Sequence, residues 1–213
     1  MTQLSFAVVD IVADRFAASP HLKVRLRIEE STGEVLHAVA LRCQLMIEPQ
    51  RRSYDESETS GVAEVFGDRD RWTQTLKPFL WTHASTVTPG FTGSLEVDLP
   101  VACSYDLDLV AAKYFTSLTD GEVPVRLLFS GTTFSRGVSG FSVEQIPWDL
   151  EATYRLPVAA WREVMDHFYP GTGWLRLDRD VLAALQRFKA ERGLTTWDEV
   201  ATTLLAATAE PVS

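Results

Sequence analysis

His21-Leu22-Lys23-Val24-Arg25-Leu26-Arg27-Ile28-Glu29 decides the fold. Leu22, Val24, Leu26 and Ile28 fall on one side of an extended chain. His21, Lys23, Arg25, Arg27 and Glu29 fall on the other. A period of two residues is that of a strand with one face buried and one face wet. Glu30-Ser31-Thr32-Gly33 follows as a turn signal, and residues 34–47 are long enough to return as the second arm of a hairpin. The inward set of that arm is Leu41, Cys43, Leu45 and Ile47, with Arg42 and Gln44 facing water.

Further strand signals lie at residues 91–99, 123–134 and 148–156. In the first, Phe91, Gly93, Leu95, Val97 and Leu99 alternate with polar residues. In the last, Trp148, Leu150, Ala152, Tyr154 and Leu156 form the apolar set. A short helix is expected over residues 58–66, closed by Gly67 as its C-cap. A second starts near Asp68, carries Trp72 and Leu76, and stops before Pro78. Residues 106–118 are ambiguous, although Ala111-Ala112-Lys113-Tyr114-Phe115 reads as helical.

After Leu156 the period changes. Pro157 suits a first helical turn, and Val158, Trp161, Val164, Met165 and Phe168 recur at helical spacing. Pro170-Gly171 ends that helix. Asp178 caps a second, with Val181, Leu182, Leu185 and Phe188 inward. Thr196-Trp197-Asp198-Glu199 is a capping box that opens a third, continued by Val200, Leu204 and Leu205. Strands first and helices last is an α+β order. The expected architecture is an antiparallel β-rich sheet or sandwich over residues 1–156, a short C-terminal helical tail over 157–208 packed on it, and a frayed end over 209–213.

The chain has 213 residues, 46% hydrophobic and 23% charged, the proportions of an ordinary globular protein. Twenty basic against 29 acidic residues leave a net charge of −9. Such a surface repels nucleic-acid phosphates and anionic headgroups, so neither is an expected partner. No apolar run approaches the ~20 residues of a membrane span. The N-terminus lacks the basic region of a signal peptide. Cytoplasmic location follows as an expectation, and with it free, buried thiols at Cys43 and Cys103.

Signatures of chemistry are sparse. Gly171-Thr172-Gly173-Trp174 lacks the third glycine and lysine of a phosphate loop, and Gly137-Val138-Ser139-Gly140 has the wrong spacing for a nucleophile elbow. The four histidines, His21, His37, His83 and His167, are scattered; neither a metal nor a cofactor is expected. Of the paired carboxylates, Asp178/Asp180 reads as helix capping. Asp106/Asp108 is the pair worth testing for acid–base work. Arg51-Arg52-Ser53-Tyr54 follows a strand directly, and Arg51, Arg52 and Tyr54 are the candidate partner-binding residues, because arginine and tyrosine suit interface hot spots. Six tryptophans serve either core packing or ligand contact.

Five segments together resemble a known family. They are Ile47-Glu48-Pro49-Gln50-Arg51-Arg52-Ser53-Tyr54, Phe66-Gly67 with Arg71-Trp72, and Leu128-Phe129-Ser130-Gly131-Thr132-Thr133-Phe134. To these add Ile146-Pro147-Trp148 running through Leu156-Pro157 to Trp161, and Gly173-Trp174-Leu175-Arg176-Leu177. The chain resembles an uncharacterised actinobacterial domain-of-unknown-function family, often encoded beside nickel–iron hydrogenase genes. The resemblance covers nearly the whole chain and brings no catalytic residue with it. It implies a non-enzymatic accessory or assembly protein that binds another protein, a hydrogenase subunit or maturation factor, in hydrogenase maturation. The alternative reading is a small-molecule or carbohydrate-binding β-sandwich, which a pocket lined by exposed tryptophan favours and fully buried indoles disfavour. A third is an enzyme built on Asp106, Asp108 and the histidines.

Overall fold

The computed structural model describes residues 2–104, 106, 110–137, 140–173 and 175–209. In chain order the elements are β1 (Leu4–Ala13), β2 (His21–Glu30), β3 (Leu36–Ile47), α1 (Glu56–Phe66), α2 (Trp72–Thr75), β4 (Phe79–Thr88) and β5 (Ser94–Ala102). They continue with α3 (Val110–Ser117), β6 (Glu122–Gly137), β7 (Gly140–Gln145), β8 (Glu151–Pro157), α4 (Val158–Phe168), α5 (Arg179–Glu191) and α6 (Trp197–Ala209). The architecture is α+β, with two antiparallel sheets. One has the order β1-β2-β5. The other has the order β4-β3-β6-β7, and β8 pairs with β6 beyond the end of β7.

The period-two stripes build the core. Leu22, Val24, Leu26 and Ile28 of β2 and Leu41, Cys43, Leu45 and Ile47 of β3 are all buried. They share one hydrophobic cluster with Leu99 and Val101 of β5 and with Val123, Val125 and Leu127 of β6. Phe6 of β1 stacks on Phe129 of β6 at 4.3 Å, joining the two sheets across that core. Both cysteines are free and buried, and burial pushes each thiol up to about 12.

β2 and β3 do not form the expected hairpin. β2 pairs with β1 and β5, whereas β3 pairs with β4 and β6. The turn between them therefore carries the chain from one sheet to the other. The buried Glu30 carboxylate organises it, accepting the N–H groups of Thr32 and Glu34, each at 2.9 Å. Gly131 permits the close approach of β6 to β3. Its φ is 145°, and a side chain there would put its Cβ 2.1 Å from the Ala40 carbonyl oxygen.

Helix starts and stops follow local chemistry. Asp55 caps α1 by accepting the Glu58 N–H, and Gly67, at φ 80°, closes it with its N–H on the Ala63 carbonyl. Asp178 caps α5. Thr196 and Glu199 form the reciprocal capping box before α6. Trp148 is 89% exposed, because β8 begins only at Glu151 and the Trp148 region is a turn. The expected inward phase of residues 148–156 therefore holds for Leu156 and is lost at its first residue.

The chain divides into two compact units, Met1–Trp174 and Leu175–Ser213, so the division falls after α4 and not at residue 156. α4 belongs to the first unit and buries Val158, Trp161, Val164 and Met165. Trp161 stacks on Phe115 of α3 at 5.2 Å. The second unit contains α5 and α6. Among the described residues no helix is long and apolar enough to cross a membrane.

Candidate functional site

Arg51, Arg52 and Tyr54 are adjacent in sequence and divide in space. β3 ends at Ile47 and a 3-10 turn over Pro49–Arg51 redirects the chain. The Arg52 side chain is 10% exposed and pairs with Glu58 of α1, which is 3% exposed. Its guanidinium also donates to the carbonyls of Asp120 at 2.8 Å and Glu122 at 3.2 Å. Glu58 in turn accepts the Thr119 N–H at 2.8 Å. Burial works against the Glu58 carboxylate, but the Thr119 N–H and the Arg52 guanidinium outweigh it and hold its pKa below the ordinary glutamate value.

Tyr54 completes this latch. Its hydroxyl donates to the Pro49 carbonyl at 2.8 Å and lies 2.7 Å from the Tyr114 hydroxyl. Tyr114 is fully buried in α3. Burial pushes the Tyr114 phenol up to about 12 and the Tyr54 phenol higher still, so neither ionises near neutral pH. The latch ties the loop after β3 to α1, α3 and the start of β6. The expectation that these three side chains are displayed together is corrected: an ionic pair draws Arg52 inside, and the ring contacts hold Tyr54 against Trp72 and Tyr114. Arg51 stays half exposed, on Glu48 at 2.7 Å.

Asp108 lies outside the described residues. The Asp106 N–H donates to the Ser104 hydroxyl at 3.1 Å. The histidines do not converge on it: His37 stacks on Phe141, His21 bonds Ser19, and His167 packs on Phe168. Among the described residues no group of three or more His, Cys, Asp or Glu side chains is placed to hold a metal ion.

A cleft elsewhere in the same unit brings together residues that sequence reasoning did not single out. It holds about 290 Å³ and is lined by Leu80, Trp81 and Thr82 of β4, Ala102 and Ser104 at the end of β5, and Val110, Ala111 and Ala112 of α3. β4 itself escaped the sequence reading. Its register against β3 passes from Leu45↔Thr82 to Met46↔Leu80, skipping Trp81. That bulge breaks the alternation and lets consecutive residues, Trp81 and Thr82, both reach the cleft. The half-buried indole leans on Phe115, 5.1 Å away. The cleft thus offers a flat aromatic face, an apolar wall and two hydroxyls.

A family model for a family of unknown function, DUF6084, matches residues 1–213, and the chain belongs to that family. No curated protein matches the chain. Among solved structures it is similar to a β-glucosidase from Kluyveromyces marxianus, with 11% identity and a TM-score of 0.26, covering 72% of this chain and 15% of that one. It is also similar to β-glucosidase 3B from Thermotoga neapolitana in complex with α-D-glucose, with 15% identity and a TM-score of 0.25, covering 72% and 17%. The chain spans about a sixth of the length of these enzymes, and at such scores the likeness carries no argument about mechanism. These neighbours are β-glucosidases and not hydrogenase maturation or accessory proteins. The expected accessory role in nickel–iron hydrogenase maturation is therefore withdrawn: the family the chain belongs to is one of unknown function, and none of these neighbours is a hydrogenase maturation or accessory protein.

Proposed function

We propose that this family member is a small-molecule-binding β-sandwich whose ligand, a single sugar-like ring, seats on Trp81. The observation that supports the reading is the Trp81 indole, half-buried on the wall of a cleft of about 290 Å³. That volume is near the lower end of ligand pockets, which run from roughly 300 Å³ upward. A pyranose ring presents one face of C–H groups and a rim of hydroxyls. The C–H face suits the negative face of an indole. The rim suits the Thr82 and Ser104 hydroxyls. A volume of about 290 Å³ suits one ring and not a long polymer.

Tryptophan fluorescence and amide chemical shifts, followed while glucose, galactose and N-acetylglucosamine are titrated, test the reading. At least one sugar is expected to move the signals of residues 80–82 and 110–112 in a saturable way. Trp81→Ala is expected to weaken that binding at least tenfold, and Trp81→Phe to weaken it less. If no sugar binds, or if Trp81→Ala binds as the natural protein does, the reading is wrong. Binding of indole or another flat apolar compound in place of every sugar would keep the cleft and discard the sugar.

A further inference from the structure

A second, polar cavity lies where β3 leaves its sheet. It holds about 220 Å³ and is lined by Arg51, Pro124, Val125, Thr153, Tyr154 and Arg155. The backbone fixes both arginines. Arg155 of β8 lies opposite Pro124 of β6, and the Glu48 N–H donates to the Pro124 carbonyl at 2.9 Å, anchoring the turn that carries Arg51. The Arg51 side chain is 54% exposed and uses Nη1 on Glu48. A guanidinium has five N–H donors and no acceptor, so most of its fork is left over. Arg155 is exposed, and among the described residues no side chain pairs with it.

A third arginine backs the pair. Arg126 Nε is buried 3.3 Å from Glu48 Oε1 but makes no hydrogen bond, and its Nη1 lies 3.6 Å from Glu151. Arg51, Arg126 and Arg155 thus gather at this corner, with Glu48 and Glu151 beside them and Asp10 accepting from the Tyr154 hydroxyl at 3.1 Å, on a chain whose net charge is −9. Positive charge gathered in a concave site raises the local concentration of anions.

We propose that this cavity is an oxyanion site that takes the phosphate or carboxylate group of a small molecule between the forks of Arg51 and Arg155. Both guanidiniums offer the paired N–H geometry that matches two oxygens of such a group. Thr153 adds a hydroxyl at the rim. The cavity has room for the charged group and leaves the remainder of the molecule in solvent. Arg51 thus has a role that Arg52, used inside the fold, does not share. The proposal is independent of the Trp81 cleft, since the two cavities have no lining residue in common.

Inorganic phosphate and acetate, each titrated into the full chain against sodium chloride at matched ionic strength, test it through the Nε–H signals of the arginines. Saturable shifts of Arg51 and Arg155 with phosphate or acetate, absent with chloride, are the expected result. Phosphate alone identifies a phosphoryl group; equal response to both admits a carboxylate. Arg155→Gln and Arg51→Gln are each expected to weaken binding at least tenfold, with amide spectra otherwise preserved. An equal response to chloride, no response at all, or unaltered affinity in both variants overturns the proposal.

Discussion

The apolar stripes of α4 and α5 are spaced alike, yet the two helices use them differently. On α4, Val158, Trp161, Val164 and Met165 disappear into the core of the first unit. On α5, Val181 is 49% exposed and Leu182 is exposed as well, and on α6 Leu205 is 70% exposed while Val200 is buried. Helical periodicity says which face is apolar. Burial further requires a surface to receive that face, and most helical stability comes from such packing. The first unit supplies the surface for α4, where Phe115 of α3 stacks on Trp161.

Removing α4 tests this difference most severely. A chain ending after Arg155 loses Trp161 and is expected not to fold cooperatively in a thermal melt. A chain ending after Trp174 keeps the first unit whole and is expected to melt cooperatively within a few degrees of the full protein. Equal behaviour of the two truncations would break the contrast. Next in size is Arg52→Ala, which strands Glu58 in the interior; losing one member of a buried ion pair costs ~3–5 kcal/mol, measurable by urea denaturation.

The same pair has a pH signature. The folded pKa of Glu58 is depressed, so its stabilisation is fully present above the unfolded value. It is lost as the pH falls through the folded one. The natural protein is therefore expected to lose stability on acidification below the ordinary glutamate range more steeply than Glu58→Gln, in melts run from neutral to acidic pH. The smallest effect belongs to the second unit. Val181→Ala, on a side chain already half in water, is expected to change stability by no more than about 0.5 kcal/mol. A loss several times larger in denaturant titration would show that the α5 stripe is more firmly engaged than its exposure indicates.

The local chemistry was legible wherever a residue acts on its own neighbours. The stripe of β2, the inward set of β3, the Gly67 stop and the Thr196–Glu199 box all depend on contacts within a few positions. The sheet crossing after Glu30 was not legible, because Ser31-Thr32-Gly33 serves a hairpin or a crossing equally well. β4 was hidden by its own bulge at Trp81, and so the cleft was hidden with it. Arg52 reads as a surface residue until Glu58 is known to lie beside it; the six-residue separation runs from the end of a 3-10 turn through the Asp55 cap into α1. Arg155 gave no signal, since its role at the corner depends on β8 pairing with β6.

The central place of β3 also sets the order in which the protein can form. Leu36 pairs with Ser135 and Ile47 with Val125, across most of the first unit. A ribosome must therefore release residues beyond β6 before β3 has both its neighbours. Until then, a strand carrying Leu41, Leu45 and Ile47 has an open edge, a template for pairing with other chains. Chains dominated by such distant pairings fold in roughly milliseconds to seconds. The time β6 takes to emerge therefore sets how long that edge stays open during synthesis.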